Sequence, residues 1–334
     1  MAEVWIINRD NGQLGNRLMF FAAAYAWCLN TQRDLYCPGL GKYAEFFPPL
    51  AGQLWPSPTK PTPTTLSSEM IERLRRTRTD RTRMLAKFRL LPGMVRKPTG
   101  VIACALPPTD ESFPRARVRR RRRNYLLAWR YFNPVGIQRH REAIVRALTP
   151  RPDLVEAADQ FIAALDPASG AGRMFVGVHI RRTDYLTFLG GKHFHNPETY
   201  RRQMLAIAER FKDRRPLFVV FSDEPRRASE FPDLDVRISG GDMISDLVRM
   251  TRMHAIVGPM SSFSAMAMYL GGGVAWHFGP HAAEDQLDWV YHGYPVVHTL
   301  DELERGLADR STIVCARAGE PGFPIDLRPR KGGG

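Results

Sequence analysis

Several common signatures are missing from this sequence. The four cysteines, Cys28, Cys37, Cys104 and Cys315, make no CxxC pair and have no histidine beside them at metal-ligand spacing, so the pattern predicts no zinc site and no disulfide framework. Free thiols in a reducing, cytoplasmic setting are the expectation. The chain holds neither a GxGxxG dinucleotide fingerprint nor a Walker A loop, and no internal repeat of fixed period. No paired-carboxylate DxD motif stands out at a strand end, so the pattern offers no carboxylate pair there for a metal. The longest apolar stretch, Leu18 to Leu29, is about half of the roughly 20 residues needed to span a bilayer. It follows a strand-like segment without a basic region and precedes no small-residue cleavage site, so it reads as a buried helix rather than a signal core.

Acidic charge is also in short supply. Lys and Arg number 48 against 34 Asp and Glu, a formal net charge of +14. That balance favours anionic partners, and arginine, with its planar fork of donors, is suited to phosphate. The densest run, "RARVRRRRR" at Arg115–Arg123, fits nucleic acid, an anionic membrane surface or a charged substrate. No aromatic interleaving or recognition module accompanies it, which argues against nucleic acid.

What is present is an alternation. "VWIIN", a glycine turn and the long apolar helix make a strand–turn–helix unit at the start. A proline- and threonine-rich stretch at 48–68 predicts an exposed loop, and a basic helical segment follows. Beyond residue 172 strands and helices alternate regularly: "MFVGVHI", "LFVVF", "DVRIS", "HAIVG" and "VAWHF" are strands separated by amphipathic segments. This predicts an α/β fold with parallel sheets, with a first domain over 1–168, a second over 172–300, and a C-terminal helix and tail over 301–334.

Three of these strands end in polar residues at what would be one carboxyl edge, where open α/β sheets bind ligands. "HIRRTD" places His179, Arg181, Arg182 and Asp184 there, and "FVVFSDE" adds Ser222 and Asp223. "GPMSSFSAM" supplies Ser261 and Ser262 at a helix start, whose free N–H groups and dipole attract phosphate. Taken singly, each has an ordinary explanation as a solvated arginine pair or a helix cap. Together they predict a site for a phosphorylated ligand.

The same residues carry a resemblance. "VHIRRTDY" resembles the arginine motif of the α1,2-fucosyltransferases and of their α1,6- and protein O-fucosyltransferase relatives. "FVVFSDE" and "MISDLVRMTRMHAIVGPMSSFSAM" are similar to that family's second and third motifs, and "GQLGNRLMFFAAAYA" and "WRYFNPVGIQRHREAI" to its opening turn and middle stretch. The resemblance runs in order from about Trp5 to Tyr269. It implies a GT-B-like fold, two Rossmann-like domains facing across a cleft, and an inverting, metal-independent transfer of fucose from GDP-fucose to a glycan hydroxyl of the α1,2 type, with no cofactor. Carried over residue by residue, Arg181 and Arg182 hold the diphosphate and His179 and Asp184 support them. Ser222, Asp223, Ser261, Ser262 and Phe263 line the nucleotide pocket, Asp223 against guanosine, and Gly15 and Asn16 reach the sugar or β-phosphate. The general base stays open among Asp10, Asp34, Glu45 and Asp184. Thr183 and Arg17 depart from the family pattern, which bears on acceptor and linkage. A glycan or lipid-linked glycan is the expected acceptor, with Arg115–Arg123 touching anionic membrane at the cytoplasmic face. The alternatives are a transferase of another nucleotide sugar, or a basic non-catalytic protein that binds nucleic acid or anionic lipid.

Overall fold

The computed structural model describes residues 3–6, 13–50, 100–102, 123–126, 133–166, 172–279 and 293–308. The proline-rich stretch beyond residue 50, the basic helical segment after it, the arginine run up to Arg122, Asp10, Cys104, Cys315 and the C-terminal tail lie outside them. Contacts divide the chain into two units, Met1–Gln13 with Phe20–His140, and Leu14–Met19 with Arg141–Gly334.

The first unit contains a parallel sheet of four short strands: β1 (Glu3–Ile6), β2 (Asp34–Tyr36), β3 (Gly100–Ile102) and β4 (Arg123–Leu126), in the order β2-β1-β4-β3. Helix α1 (Leu14–Thr31) follows β1, as the strand–turn–helix pattern predicts. Its apolar residues point all round, and Leu18, Phe21, Ala22 and Ala24 are completely buried, which is why the stretch looks like a membrane or signal segment in sequence. Among the described residues no helix is long and apolar enough to cross a membrane. Cys28 and Cys37 are buried, and neither is in a disulfide among the described residues. The stretch "VGIQRHREAIVRAL", whose apolar spacing reads as one amphipathic helix, forms two, α2 (Pro134–Arg139) and α3 (Arg141–Ala147). Asn133 caps the first by accepting from the Gly136 amide at 2.9 Å, and the backbone leaves helical geometry at His140. The boundary between the units falls at that break.

The second unit continues with α4 (Pro152–Leu165), β5 (Phe175–Ile180), α5 (Pro197–Arg210), β6 (Leu217–Ser222), β7 (Val236–Ile238), α6 (Met243–Met250), β8 (Ala255–Gly258), α7 (Ser262–Gly271), β9 (Val274–His277), β10 (Val296–Val297) and α8 (Leu300–Ala308). All six strands are parallel, in the order β10-β9-β8-β5-β6-β7. Strands that are covered on both faces need unbroken apolar runs, and "FVGVHI" and "LFVVF" are such runs. One face packs Val176, Val178, Phe218, Val220 and Trp276 against Tyr200, Met204 and Ile207 of α5 and Leu303 of α8. Helix starts are set by local chemistry. Asn196 accepts from the Thr199 amide ahead of Pro197, Asp242 accepts from the Ile244 and Ser245 amides, and Ser261 accepts from the Phe263 amide. Gly272, in the left-handed region at φ 84°, closes α7.

Counted within this unit, the strand order reverses between β5 and β8: the chain builds β5, β6, β7 outward in one direction, then returns to β5's other side for β8, β9 and β10. The carboxyl ends of β5 and β8 therefore part company and leave a crevice. The two strands come very close just below it. A Cβ on Gly258 would lie 2.6 Å from the His179 carbonyl oxygen, a backbone atom that cannot step aside. Gly258→Ala should cost about 1–3 kcal/mol of stability, read as a lower urea midpoint. An unchanged midpoint would contradict the observed approach of the two strands.

Candidate functional site

β6, β5 and β8 are neighbours in the sheet and run the same way, so the three polar strand ends singled out in the sequence meet at one edge, on either side of the crevice. Leaving β5, the chain turns through Arg181, Arg182 and Thr183 into a short 3-10 turn, Asp184–Leu186. This loop is braced from two sides. From β6, Asp223 accepts from the Arg182 amide at 3.0 Å with one carboxylate oxygen, and from the Thr183 amide (3.3 Å) and hydroxyl (2.6 Å) with the other. From β8, the Met260 carbonyl accepts from the buried Tyr185 hydroxyl at 2.5 Å. Burial pushes the Tyr185 phenol up to about 12, so it remains a donor at any ordinary pH.

The two arginines are held differently. Arg181 donates through Nε (2.9 Å) and Nη2 (2.7 Å) to the two oxygens of Asp184, and its guanidinium lies 5.4 Å from the centre of the Tyr185 ring. Burial opposes its charge, but the bond to Asp184 and the nearby carboxylates outweigh it and raise its pKa. A guanidinium has five N–H donors; two face Asp184, so three remain for a ligand. Arg182 stacks 4.4 Å from the Phe194 ring, with its Nε 3.4 Å from Glu224. Both cations are thus fixed in place before any ligand arrives, which is how electrostatic stabilisation is made strong.

His179 is fully enclosed, 5.7 Å from the Phe263 ring, and its Nδ1 has no hydrogen-bond partner among the described residues. Desolvation, helped by the charge of Arg181, lowers its pKa to about 4, so it is a neutral packing group under the loop. Ser261 is spent on its capping bond, and Ser264, one turn into α7, bonds the Ser261 carbonyl (3.1 Å) and His277 Nε2 (3.0 Å). Ser222 accepts from the Glu224 amide at 3.1 Å. Gly15 sits where a Cβ would be 2.6 Å from the Phe263 nitrogen, so the first turn of α1 touches the backbone at the start of α7. Asn16, the next residue, is half-buried.

All eleven residues that sequence reasoning selected lie within the second unit. Nine are at the edge formed by β5, β6 and the start of α7, and Gly15 touches the last of these directly. Asp184 has both oxygens engaged by Arg181, and of the other base candidates Asp34 and Glu45 belong to the first unit. Sequence reasoning missed Tyr185, Phe194 and Glu224, which position the arginines, and His193, which packs on Tyr185. The aromatic content of "DYLTF" and "HFHN" on either side of the loop was the available signal. Among the described residues no group of three or more His, Cys, Asp or Glu is arranged to hold a metal.

Asp223 is the loop's main polar support. Replacing it with Ala removes three acceptor contacts at once and leaves two loop amides unpaired, so affinity for a phosphorylated ligand at this edge should fall roughly 10- to 100-fold, in line with a few kcal/mol for such contacts. Asn, which keeps one acceptor oxygen, should lose less. Equal loss in both variants would point to a role for the charge itself.

The chain is similar to several known proteins. Residues 124–286, just under half of the chain, match the family described as Glycosyl transferase family 11. Over 158 residues, 44% of this chain and 40% of the other, the sequence is 31% identical to Galactoside alpha-(1,2)-fucosyltransferase 1 of Rattus norvegicus. The chain thus spans about two fifths of that relative's length. Among solved structures, an Arabidopsis thaliana FUT1 mutant in complex with GDP aligns at a TM-score of 0.55 and 16% identity, over 84% of this chain and 70% of that one. A NodZ alpha-1,6-fucosyltransferase co-crystallised with GDP aligns at 0.44 and 17%, over 83% and 95%. The fold is of the α/β GT-B-like class, and the stretch similar to Glycosyl transferase family 11 includes the arginine loop, Asp223 and the start of α7.

Proposed function

We propose that the protein is a GDP-fucose-dependent fucosyltransferase that transfers to a glycan hydroxyl, of the α1,2 type, with inversion and without a metal. The observation that carries the reading is the pair Arg181 and Arg182, pre-positioned at the switch point of a Rossmann-type sheet beside a serine-capped helix start. Breaking the bond between fucose C1 and the diphosphate leaves positive charge on the sugar ring and the electron pair on the departing oxygen. The three spare donors of Arg181, the guanidinium of Arg182 and the amides at the start of α7 stabilise that oxygen's charge, which is the work a metal does elsewhere. The acceptor oxygen attacks C1 from the opposite face and gives up its proton to a base. On this reading Ser222, Ser261, Ser262 and Phe263 line the nucleotide, and Gly15 and Asn16 approach the sugar end. Asp223 braces the arginine loop in addition to any contact with guanosine. The family similarity over residues 124–286 supports the donor, and the serviceable charge of two arginines supports metal independence.

A glycan or lipid-linked glycan acceptor, contact of Arg115–Arg123 with anionic membrane, and a cytoplasmic location are parts of the same reading. Transfer from labelled GDP-fucose to a β-galactoside, with EDTA present throughout, tests it. Product with the opposite anomeric configuration to the donor is expected. Transfer that requires added Mg²⁺ or Mn²⁺ would contradict the metal-independent step, and transfer from a UDP-sugar instead would replace the donor.

A further inference from the structure

Only five large apolar side chains among the described residues are strongly exposed, and three of them fall within four positions: Leu186 (61%), Phe188 (45%) and Leu189 (43%). They sit on the continuation of the arginine loop, in the 3-10 turns Asp184–Leu186 and Phe188–Gly191. The stretch is built rather than loose. The Leu186 amide bonds the Arg182 carbonyl at 3.1 Å, and Phe188 stacks on Tyr185 at 5.5 Å and packs on His193 at 6.2 Å. Tyr185 in turn lies under Arg181, so one continuous contact runs from the arginine to the exposed apolar side chains. Leu189 is held in the left-handed region at φ 50°, which a leucine adopts at a cost, and Gly190 and Gly191 follow it there at φ 71° and 79°. Strained backbone that presents apolar groups to water beside a ligand edge is a mark of a binding element.

We propose that Leu186, Phe188 and Leu189 form an acceptor subsite for the hydrocarbon aglycone of an amphipathic glycoside. This rests on the fucosyl-transfer reading. The reacting acceptor hydroxyl must come to the sugar carbon attached to the diphosphate that Arg181 and Arg182 hold. The apolar side chains continue from that pair through Tyr185, within reach of a group that extends from the acceptor sugar, and that group is the occupant assigned to them. A free, fully polar glycan would leave these side chains in water, whereas an alkyl or lipid aglycone covers them. The patch adds affinity through the removal of apolar surface from water and supplies selectivity among acceptors with the same sugar.

The test is calorimetric titration of the GDP-saturated protein with octyl β-galactoside, kept below its micellar concentration, and with methyl β-galactoside. The octyl compound should bind at least tenfold more tightly. Leu186→Ser combined with Leu189→Asn removes two apolar groups at exposed positions, and Asn accepts the left-handed backbone. That variant should bind the octyl compound no better than the methyl one, with GDP affinity unchanged and thermal stability no lower. Equal affinity for both glycosides in the wild type, no saturable binding of the octyl compound, or an unaltered ratio in the variant overturns the subsite. Failure of GDP to bind would instead count against the transferase reading. The same octyl-to-methyl comparison on the ligand-free protein then still decides whether the subsite exists.

Discussion

Arg181→Ala should lower kcat for fucosyl transfer by about a thousandfold or more while the protein stays folded. Removing one donor aimed at developing negative charge typically costs about 10²–10³ in rate, and here a second effect adds to it. Asp184 is neutralised by Arg181 through two bonds at 2.9 and 2.7 Å. Without that partner its carboxylate faces the diphosphate directly and repels it. Arg181→Lys should fall between the two, because lysine restores charge without the planar fork that serves Asp184 and phosphate together. GDP affinity should drop less than kcat, since much of the nucleotide's binding comes from groups other than this side chain. The Tyr185 hydroxyl bond to Met260 and the Asp223 brace both survive the substitution, so the loop has reason to keep its shape. A kinetically ordinary Arg181→Ala enzyme would remove the residue from the reaction.

Thermal stability should be flat between pH 8 and 7 and fall steeply as the pH drops below about 6.5, the ordinary histidine value. Three histidines in the second unit are held neutral: His179 and His277 are buried and His254 is half-buried. Desolvation lowers His179 and His254 to about 4 and His277 to about 3. Between these values and 6.5 the unfolded chain takes up protons that the folded one does not, so folding loses free energy as pH falls. The loss is complete only below the folded values, and on the order of a few kcal/mol for each histidine it rivals the total stability of an ordinary domain. His254 shows why the folded form resists: its Nδ1 accepts from the Phe175 amide at 3.0 Å, and a proton there would displace a backbone bond next to the central strand. His254→Asn keeps an acceptor near that position and removes the titration, so its stability should decline less steeply with acid. A melting temperature constant from pH 7 to 5 would contradict the neutral assignments.

How much of this was legible beforehand depended on the physical signal each feature leaves. The strands of the second unit announce themselves because a parallel strand covered on both faces must be apolar throughout, and the helix starts because Asn196, Asp242 and Ser261 are capping residues ahead of apolar periodicity. That three strand ends share an edge follows from strands and helices alternating. The strand order itself, and with it the crevice between β5 and β8, is a matter of long-range pairing that no local pattern records. The site's polar residues were readable as a set, but their division of labour was not. Asp223 reads in sequence as a helix cap or a nucleotide contact, whereas its carboxylate holds the arginine loop. Gly15 reads as a turn glycine, whereas its missing side chain admits the backbone of Phe263. Tyr185, Phe194 and Glu224 carry no motif of their own and are found only because the fold brings them to the guanidiniums.

On the proposed reading, the arginine pair is a metal-free diphosphate site for a guanine nucleotide sugar. Thermal unfolding with GDP, GDP-fucose and UDP, each in EDTA and in Mg²⁺, addresses it directly, because a ligand of the native state raises stability by mass action. The predicted result is stabilisation by GDP and GDP-fucose to the same extent in EDTA as in Mg²⁺, with little response to UDP, and loss of the GDP response in Arg181→Ala combined with Arg182→Ala. Stabilisation that appears only with the metal, or no response to any of the three nucleotides, would contradict it.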